Sequence, residues 1–225
     1  MKLIFANRNY SSWSLRAWLV LKHFGIPFDE ELVLLNGDGW KENIRKKSPS
    51  GKVPVLVDGE LVLPETTAII EYLNDKYPAK GIWPSNRIER ALARAAAAEM
   101  HGGFSALRNA APMNLRGSHP GKVDPDIVAD DLKRIERLWG DLLSRSGGPY
   151  LFGTFTAADA MFAPVATRIR TYELPVTDLA MEYVEAIYAL PAFQEWFAEA
   201  VKEPWVVEHD EIDIILAMRD TAGNA

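Results

Sequence analysis

Cysteine is absent from the 225 residues. Its absence rules out a disulfide framework, thiolate metal sites and a cysteine nucleophile. Histidine is scarce as well. His23, His101, His119 and His209 lie far apart and have no metal-ligand neighbour at helical spacing, so no metal is expected. His209-Asp210-Glu211 with Asp213 imitates a ligand cluster, but a solvated acidic tail is the simpler reading of those residues. No apolar run approaches the ~20 residues that cross a bilayer. The stretch from Met1 to Gly25 is interrupted by Lys2, Asn7, Arg8, Asn9 and Arg16, unlike a signal sequence. There is no glycine-rich phosphate cradle, and Asn36 to Gly39 is too short for a calcium loop. Basic residues number 25 against 31 acidic, a net charge of −6 that argues against nucleic acid or an anionic membrane as partner. These gaps leave a soluble, cytoplasmic globular protein as the expectation.

What is present falls into two parts. Lys2 to Ala6 reads as a buried strand, followed by a polar stretch and then by Ala17, Trp18 and Leu21 at helical spacing. Ser11 or Ser12 is available to cap that helix, while Gly25 and Pro27 end it. Phe28, Leu32 and Leu34 share one parity of a second strand that Glu30 interrupts. Val53 to Val57 and Leu61 to Leu63 are strands joined by Asp58-Gly59, a hairpin signal, and a helix runs from Glu65 toward Pro78. A strand-helix-strand unit followed by a hairpin and a helix implies a mixed four-stranded sheet with helices packed on it. After Pro84 no strand pattern returns. Ile88 to Ser105 is alanine-rich and helical. Val128, Leu132, Ile135, Trp139 and Leu142 form one apolar stripe, as do Ala158, Phe162, Val165, Ile169 and Tyr172. A last helix covers roughly 192–202. An α/β domain over residues 1–80 and an all-helical domain over 86–225 are the predicted units, joined through the proline- and glycine-bearing segment 79–86.

Four segments, in this order, make the chain resemble the glutathione transferase superfamily: Tyr10-Ser11-Ser12-Trp13-Ser14-Leu15-Arg16; Ser48-Pro49-Ser50-Gly51-Lys52-Val53-Pro54-Val55-Leu56; Pro64-Glu65-Thr66-Thr67-Ala68-Ile69; and Phe155-Thr156-Ala157-Ala158-Asp159. The resemblance implies a thioredoxin-like first domain that binds glutathione and a helical second domain that forms the co-substrate pocket. Read alone, Val53-Pro54 is a trans proline opening a strand. The resemblance implies a cis bond instead, with the Val53 backbone turned toward the cysteinyl part of glutathione. Glu65-Thr66 opens a helix, where free N–H groups attract a carboxylate and Glu65 offers a counter-charge to an amine. The γ-glutamyl end of glutathione carries both groups on one carbon. Thr156-Ala157-Ala158-Asp159 is a capping box with a folding role.

A thiol is largely protonated at neutral pH, and the chemistry needs it as an anion, held by hydrogen-bond donors and a positive helix end. Tyr10, Ser11, Ser12 and Ser14 all offer hydroxyls in the turn after the first strand. By resemblance to the serine-using members, Ser11 matches the catalytic serine and Ser12 its neighbour, with Tyr10 a third choice. Trp13 stands where the zeta-type serine-serine-cysteine motif has cysteine, which favours a serine-type transferase over a maleylacetoacetate-type isomerase. The resemblance points to Phe104, Leu107 and Met113, with Tyr172 opposite, as the co-substrate pocket, although such residues at helical spacing also suit a plain core. It further implies a homodimer, in which Arg87, Arg90 and Arg94 would meet Glu71 and Asp75 of the other subunit. The predicted activity is addition of the glutathione thiolate to a small hydrophobic electrophile. A glutathione-dependent isomerase and a non-enzymatic interaction protein of the same fold are the alternatives.

Overall fold

The computed structural model describes residues 1–216; the end of the expected helical domain, 217–225, lies outside them. Strand β1 (Lys2–Ala6) is central in a four-stranded sheet of order β2-β1-β3-β4. It runs parallel to β2 (Asp29–Val33) and antiparallel to β3 (Val55–Asp58), which pairs antiparallel with β4 (Leu61–Pro64). The alternation of β1 divides the interior. Leu3 and Phe5 join the main core, while Ile4 and Ala6 pack with Val33, Val55 and Ile44 of α2 (Trp40–Arg45). The acidic interruption in β2 has a local reason. Glu30 accepts a hydrogen bond from Trp18 Nε1 at 2.6 Å and pairs with Arg8, so it lies along the edge strand with its charge met.

Helix α1 (Ser12–His23) crosses one sheet face beside α3 (Thr66–Lys76). Beyond the sheet come α4 (Arg87–Gly102), α5 (Ser105–Ala110), α6 (Pro125–Ser146), α7 (Ala157–Tyr172), α8 (Asp178–Ala189) and α9 (Pro191–Ala200), so a helical domain follows the α/β one. The alanine-rich helix is shorter than its composition predicts, ending at Gly102 rather than Ser105. A side chain at Gly103 would meet the Glu99 carbonyl at 2.7 Å, and Phe104 turns left-handed at φ 56°. That break releases α5 as a separate helix. Arg94 and Glu71 also depart from expectation. They pair within one chain, at 3.1 and 2.7 Å, because α3 and α4 are neighbours, and Arg90 donates to the carbonyls of Pro84 and Ser85.

Helix α7 packs against α1, α4 and α8 and is buried along nearly its whole length. Its start carries the predicted box: Thr156 accepts from Ala158 N–H, and Asp159 accepts from the Thr156 N–H at 2.8 Å. Asp159 also accepts from Leu151 N–H and the Tyr183 hydroxyl, each at 3.0 Å. One carboxylate therefore ties together the 151 turn, α7 and α8.

Candidate active site

Two clefts open beside the start of α1, one facing α4 and α5 and the other facing α2. One, of about 470 Å³, is lined by Trp13, Ser50, Lys52, Val53, Glu65, Thr66, His101 and Arg108. The other, of about 320 Å³, includes Tyr10, Ser11, Ser12, Trp40 and Asp210 in its wall. Trp13, Lys52 and Val53 border both, so the clefts adjoin across these residues. A further hollow of about 520 Å³ between α6 and α8 contains none of the predicted site residues.

At the β3 end, the Val53–Pro54 bond is cis. Ser48 holds the loop before it, accepting from Lys52 N–H at 3.2 Å and donating to the Lys52 carbonyl at 2.6 Å. The N–H and C=O of Val53 have no hydrogen-bond partner among the described residues. Facing them, Glu65 has φ 81° and ψ 127°, a conformation costing about 1–3 kcal/mol for a residue with a side chain. Its carboxylate accepts from Thr67 N–H at 3.1 Å and Ala68 N–H at 3.2 Å, and remains 44% exposed with His101 Nε2 at 3.6 Å. The Thr66 hydroxyl donates to the Trp13 carbonyl at 3.2 Å, which fastens the start of α3 to the first turn of α1. Thr66 therefore offers its backbone to the cleft, and its N–H has no partner among the described residues. Glu65 and the start of α3 together present a negative charge beside the one unpaired N–H of Thr66, which suits a ligand carrying an ammonium and a carboxylate side by side.

The four hydroxyls of the β1–α1 turn separate clearly. Ser11 is the N-cap residue by position, yet its side chain caps nothing. It donates instead to Ser14 Oγ at 2.7 Å, and Ser14, fully buried, accepts from Ala6 N–H at 3.1 Å. Ser12 is half-buried at the mouth of the cleft. Tyr10 is committed elsewhere, since its hydroxyl donates to Glu211 and accepts from Arg116 at 2.7 Å. Burial and the bond to Glu211 push its phenol above the ordinary value, so it stays protonated. Trp13 and Ser14 contribute first-turn N–H groups without partners among the described residues, leaving the positive end of α1 open beside Ser11.

Behind Trp13 lies a group of cations. The Arg16 guanidinium is 4.3 Å from the Trp13 ring centre and that of Arg108 5.1 Å from it. Arg16 donates Nε to the Met161 carbonyl, but its two terminal nitrogens have no partner. Burial, then the charges of Arg168 and Arg108, hold Arg16 well below its usual range. Burial and Arg108 likewise bring Arg168 to about 10, still cationic at neutral pH. This side of the larger cleft is strongly positive.

Of the predicted residues, Ser11, Ser12 and Val53 line one cleft, and Val53, Glu65 and Thr66 the other, with Pro54 completing the cis bond. The predicted co-substrate residues lie elsewhere. Phe104, Leu107, Met113 and Tyr172 are interior, with Tyr172 donating to the Pro112 carbonyl at 2.8 Å, and none lines either cleft. They pack in the core, and the α4–α5 wall is built from His101 and Arg108 instead. The acidic tail is corrected as well. No cluster able to hold a metal occurs among the described residues, and Glu211 and Asp210 are docked rather than solvated. Burial raises the Asp210 carboxyl above its ordinary range. Sequence reasoning missed Arg108, gave Ser14 only as one hydroxyl among four, and read Asp210 as part of a solvated tail. Ser14 had a local signal, its place three residues after Ser11 on the same helix face.

Residues 10–76 match the model for the glutathione S-transferase N-terminal domain and residues 87–199 that for the C-terminal domain. A zeta-class glutathione S-transferase of Euphorbia esula is 36% identical over 193 residues, covering 82% of this chain and 84% of the relative. A probable maleylacetoacetate isomerase of Caenorhabditis elegans is 28% identical, covering 83% and 87%. Among solved structures, a Burkholderia glutathione transferase homologue with bound glutathione superposes with a TM-score of 0.67 at 27% identity, covering 88% of this chain and 96% of that one.

Proposed function

Since this chain belongs to the glutathione S-transferase family, we propose that it holds glutathione as its thiolate and transfers it to a small hydrophobic electrophile, by substitution or conjugate addition. The observation that carries this reading is the strained Glu65 facing an unpaired Val53 backbone across one cleft. In this reading residues 1–80 bind glutathione and 86–225 supply the co-substrate side. Glu65 and the start of α3 grip the γ-glutamyl zwitterion, and Val53 pairs with the cysteinyl peptide. The sulfur then meets Ser11, with Ser12 beside it and the N-terminus of α1 behind. The Ser11 hydroxyl turns its proton to the sulfur, and Ser14 takes over as donor across the 2.7 Å contact. A chain of donors ending on the anion favours the thiolate over the thiol.

Calorimetry with glutathione tests this directly. Wild-type protein should release heat at millimolar glutathione, and its absence would end the reading. Glu65→Gln keeps an oxygen for capping α3 but loses the counter-charge, so the dissociation constant should rise about 10- to 100-fold. An unchanged constant would remove Glu65 from the site.

A second reading, glutathione-dependent isomerisation of an unsaturated acid, is favoured by one observation. Among the described residues, the Arg16, Arg108 and Arg168 group has no carboxylate partner in a hydrogen bond or ion pair. That reading predicts turnover of a cis-diene acid with no net loss of glutathione. The protein is also proposed to act as a cytoplasmic homodimer. The apolar Leu61 and Val62 on edge strand β4, and Ile88 at the start of α4, are exposed and support a subunit contact there. Sedimentation should give twice the chain mass, and a monomer would refute the dimer.

A further inference from the structure

The turn that carries Ser11 is held from the far end of the chain. Glu203, just past α9, places one carboxylate oxygen on each of two consecutive peptides, accepting from Arg8 N–H at 2.8 Å and Asn9 N–H at 3.2 Å. Arg116, in the segment after α5, donates to the Glu203 carbonyl, to the Trp205 carbonyl at 2.9 Å and to the Tyr10 hydroxyl at 2.7 Å. Asn9 closes the circuit. Its Nδ2 donates to Asn114 Oδ1 at 2.9 Å, and its Oδ1 accepts from Arg116 N–H at 2.8 Å. Neither Glu203 nor Arg116 lines a cleft.

A carboxylate bridging two successive N–H groups fixes the orientation of both peptide planes, and a guanidinium fork fixes the carboxylate's own backbone. Rigidity passes to the serine through the chain itself, because Ser11 N–H and Tyr10 N–H both bond to the Asn7 carbonyl, at 2.9 and 3.2 Å. Thiolate stabilisation depends on where the hydroxyl stands, and a misplacement of about 1 Å can cost about 10²-fold in rate. We infer that Glu203 and Arg116 are positioning residues that set the Ser11 hydroxyl against the sulfur while touching neither substrate. This inference rests on the glutathione transferase reading above.

The test uses full-length Glu203→Gln and Arg116→Met. Each should lose about 10-fold in turnover while the KM for glutathione stays within about twofold. The ultraviolet thiolate absorbance of bound glutathione should titrate at higher pH than in wild type. Arg116→Lys, which reaches fewer of the three acceptors, should recover only part of the loss. Glu203→Gln keeps the shape and one acceptor oxygen, so it gives the same readouts if Arg116→Met does not fold. A lower melting temperature with turnover and thiolate titration unchanged would reduce the clasp to a structural role and overturn the inference. A raised KM with intact turnover would overturn it too. A wild-type protein with no bound-thiolate signal would instead sink the glutathione reading itself.

Discussion

Ser11→Ala is expected to lower turnover about 10- to 200-fold, the worth of one hydrogen bond to an anion, about 1.5–3 kcal/mol. The KM for glutathione should hardly move, because the residues proposed to hold the tripeptide, Glu65, Thr66 and Val53, make no hydrogen bond to Ser11. A loss confined to turnover marks an interaction made with the developing or bound thiolate rather than with the tripeptide as a whole. The reading depends on Ser11 being free to act, and the structure supplies that freedom. Its hydroxyl does not cap α1 but rests on Ser14 Oγ at 2.7 Å, a contact that can reverse its donor. Ser14→Ala removes the support without removing the hydroxyl and should show a smaller loss of the same kind. Stopped-flow titration of the bound thiol decides between the hydroxyls. If Ser11→Ala titrates as wild type does, the role passes to Ser12, since Tyr10 is occupied by Glu211 and Arg116.

Asp159→Ala should be the most destabilising substitution away from the clefts, by about 3–5 kcal/mol in denaturant unfolding, the range for removing one partner of a buried charged network. It strands two backbone N–H groups, of Leu151 and Thr156, and the buried Tyr183 hydroxyl. Burial raises the Asp159 carboxyl to about 6 even though those donors pull it down. The folded value thus lies above the ordinary carboxyl value, and the folded state takes up the proton first as pH falls. The contribution of this titration to stability is therefore fully present below the ordinary value and is lost as pH rises toward 6. Asp159→Asn cannot titrate, so its stability curve should lack that limb. A stability profile identical to wild type between those limits would show that Asp159 does not carry the effect.

Local chemistry made much of the fold legible. The Asp58-Gly59 hairpin, the capping box at Thr156 and the glycine and proline stops after α1 each act over a few residues, and each stands where the sequence places it. The residues proposed to hold glutathione were legible for the same reason, because Val53-Pro54 and Glu65-Thr66 are adjacent pairs that carry local backbone signals. The opposite wall was not. Arg108 faces the cleft only because Gly103 breaks the alanine-rich helix, and the effect of that break on the next helix cannot be read from periodicity. Phe104, Leu107, Met113 and Tyr172 are apolar residues of the kind that face inward, and residue type alone is the same whether that face meets a cavity or another helix. The tail misled for a related reason. Glu203 and Glu211 look solvated until the partners from residues 8–10 and 114–116 are in place.

The link between Glu203 and the Arg8 and Asn9 peptides spans 195 and 194 positions of chain. During synthesis, the sheet and its serine turn leave the ribosome long before the acid that braces them. A nascent chain can thus close its sheet early, yet its reactive turn lacks this support until translation has passed α9. A fragment cut after α3 would carry the serine and the residues proposed to grip the tripeptide, with two peptide groups of that turn left to water.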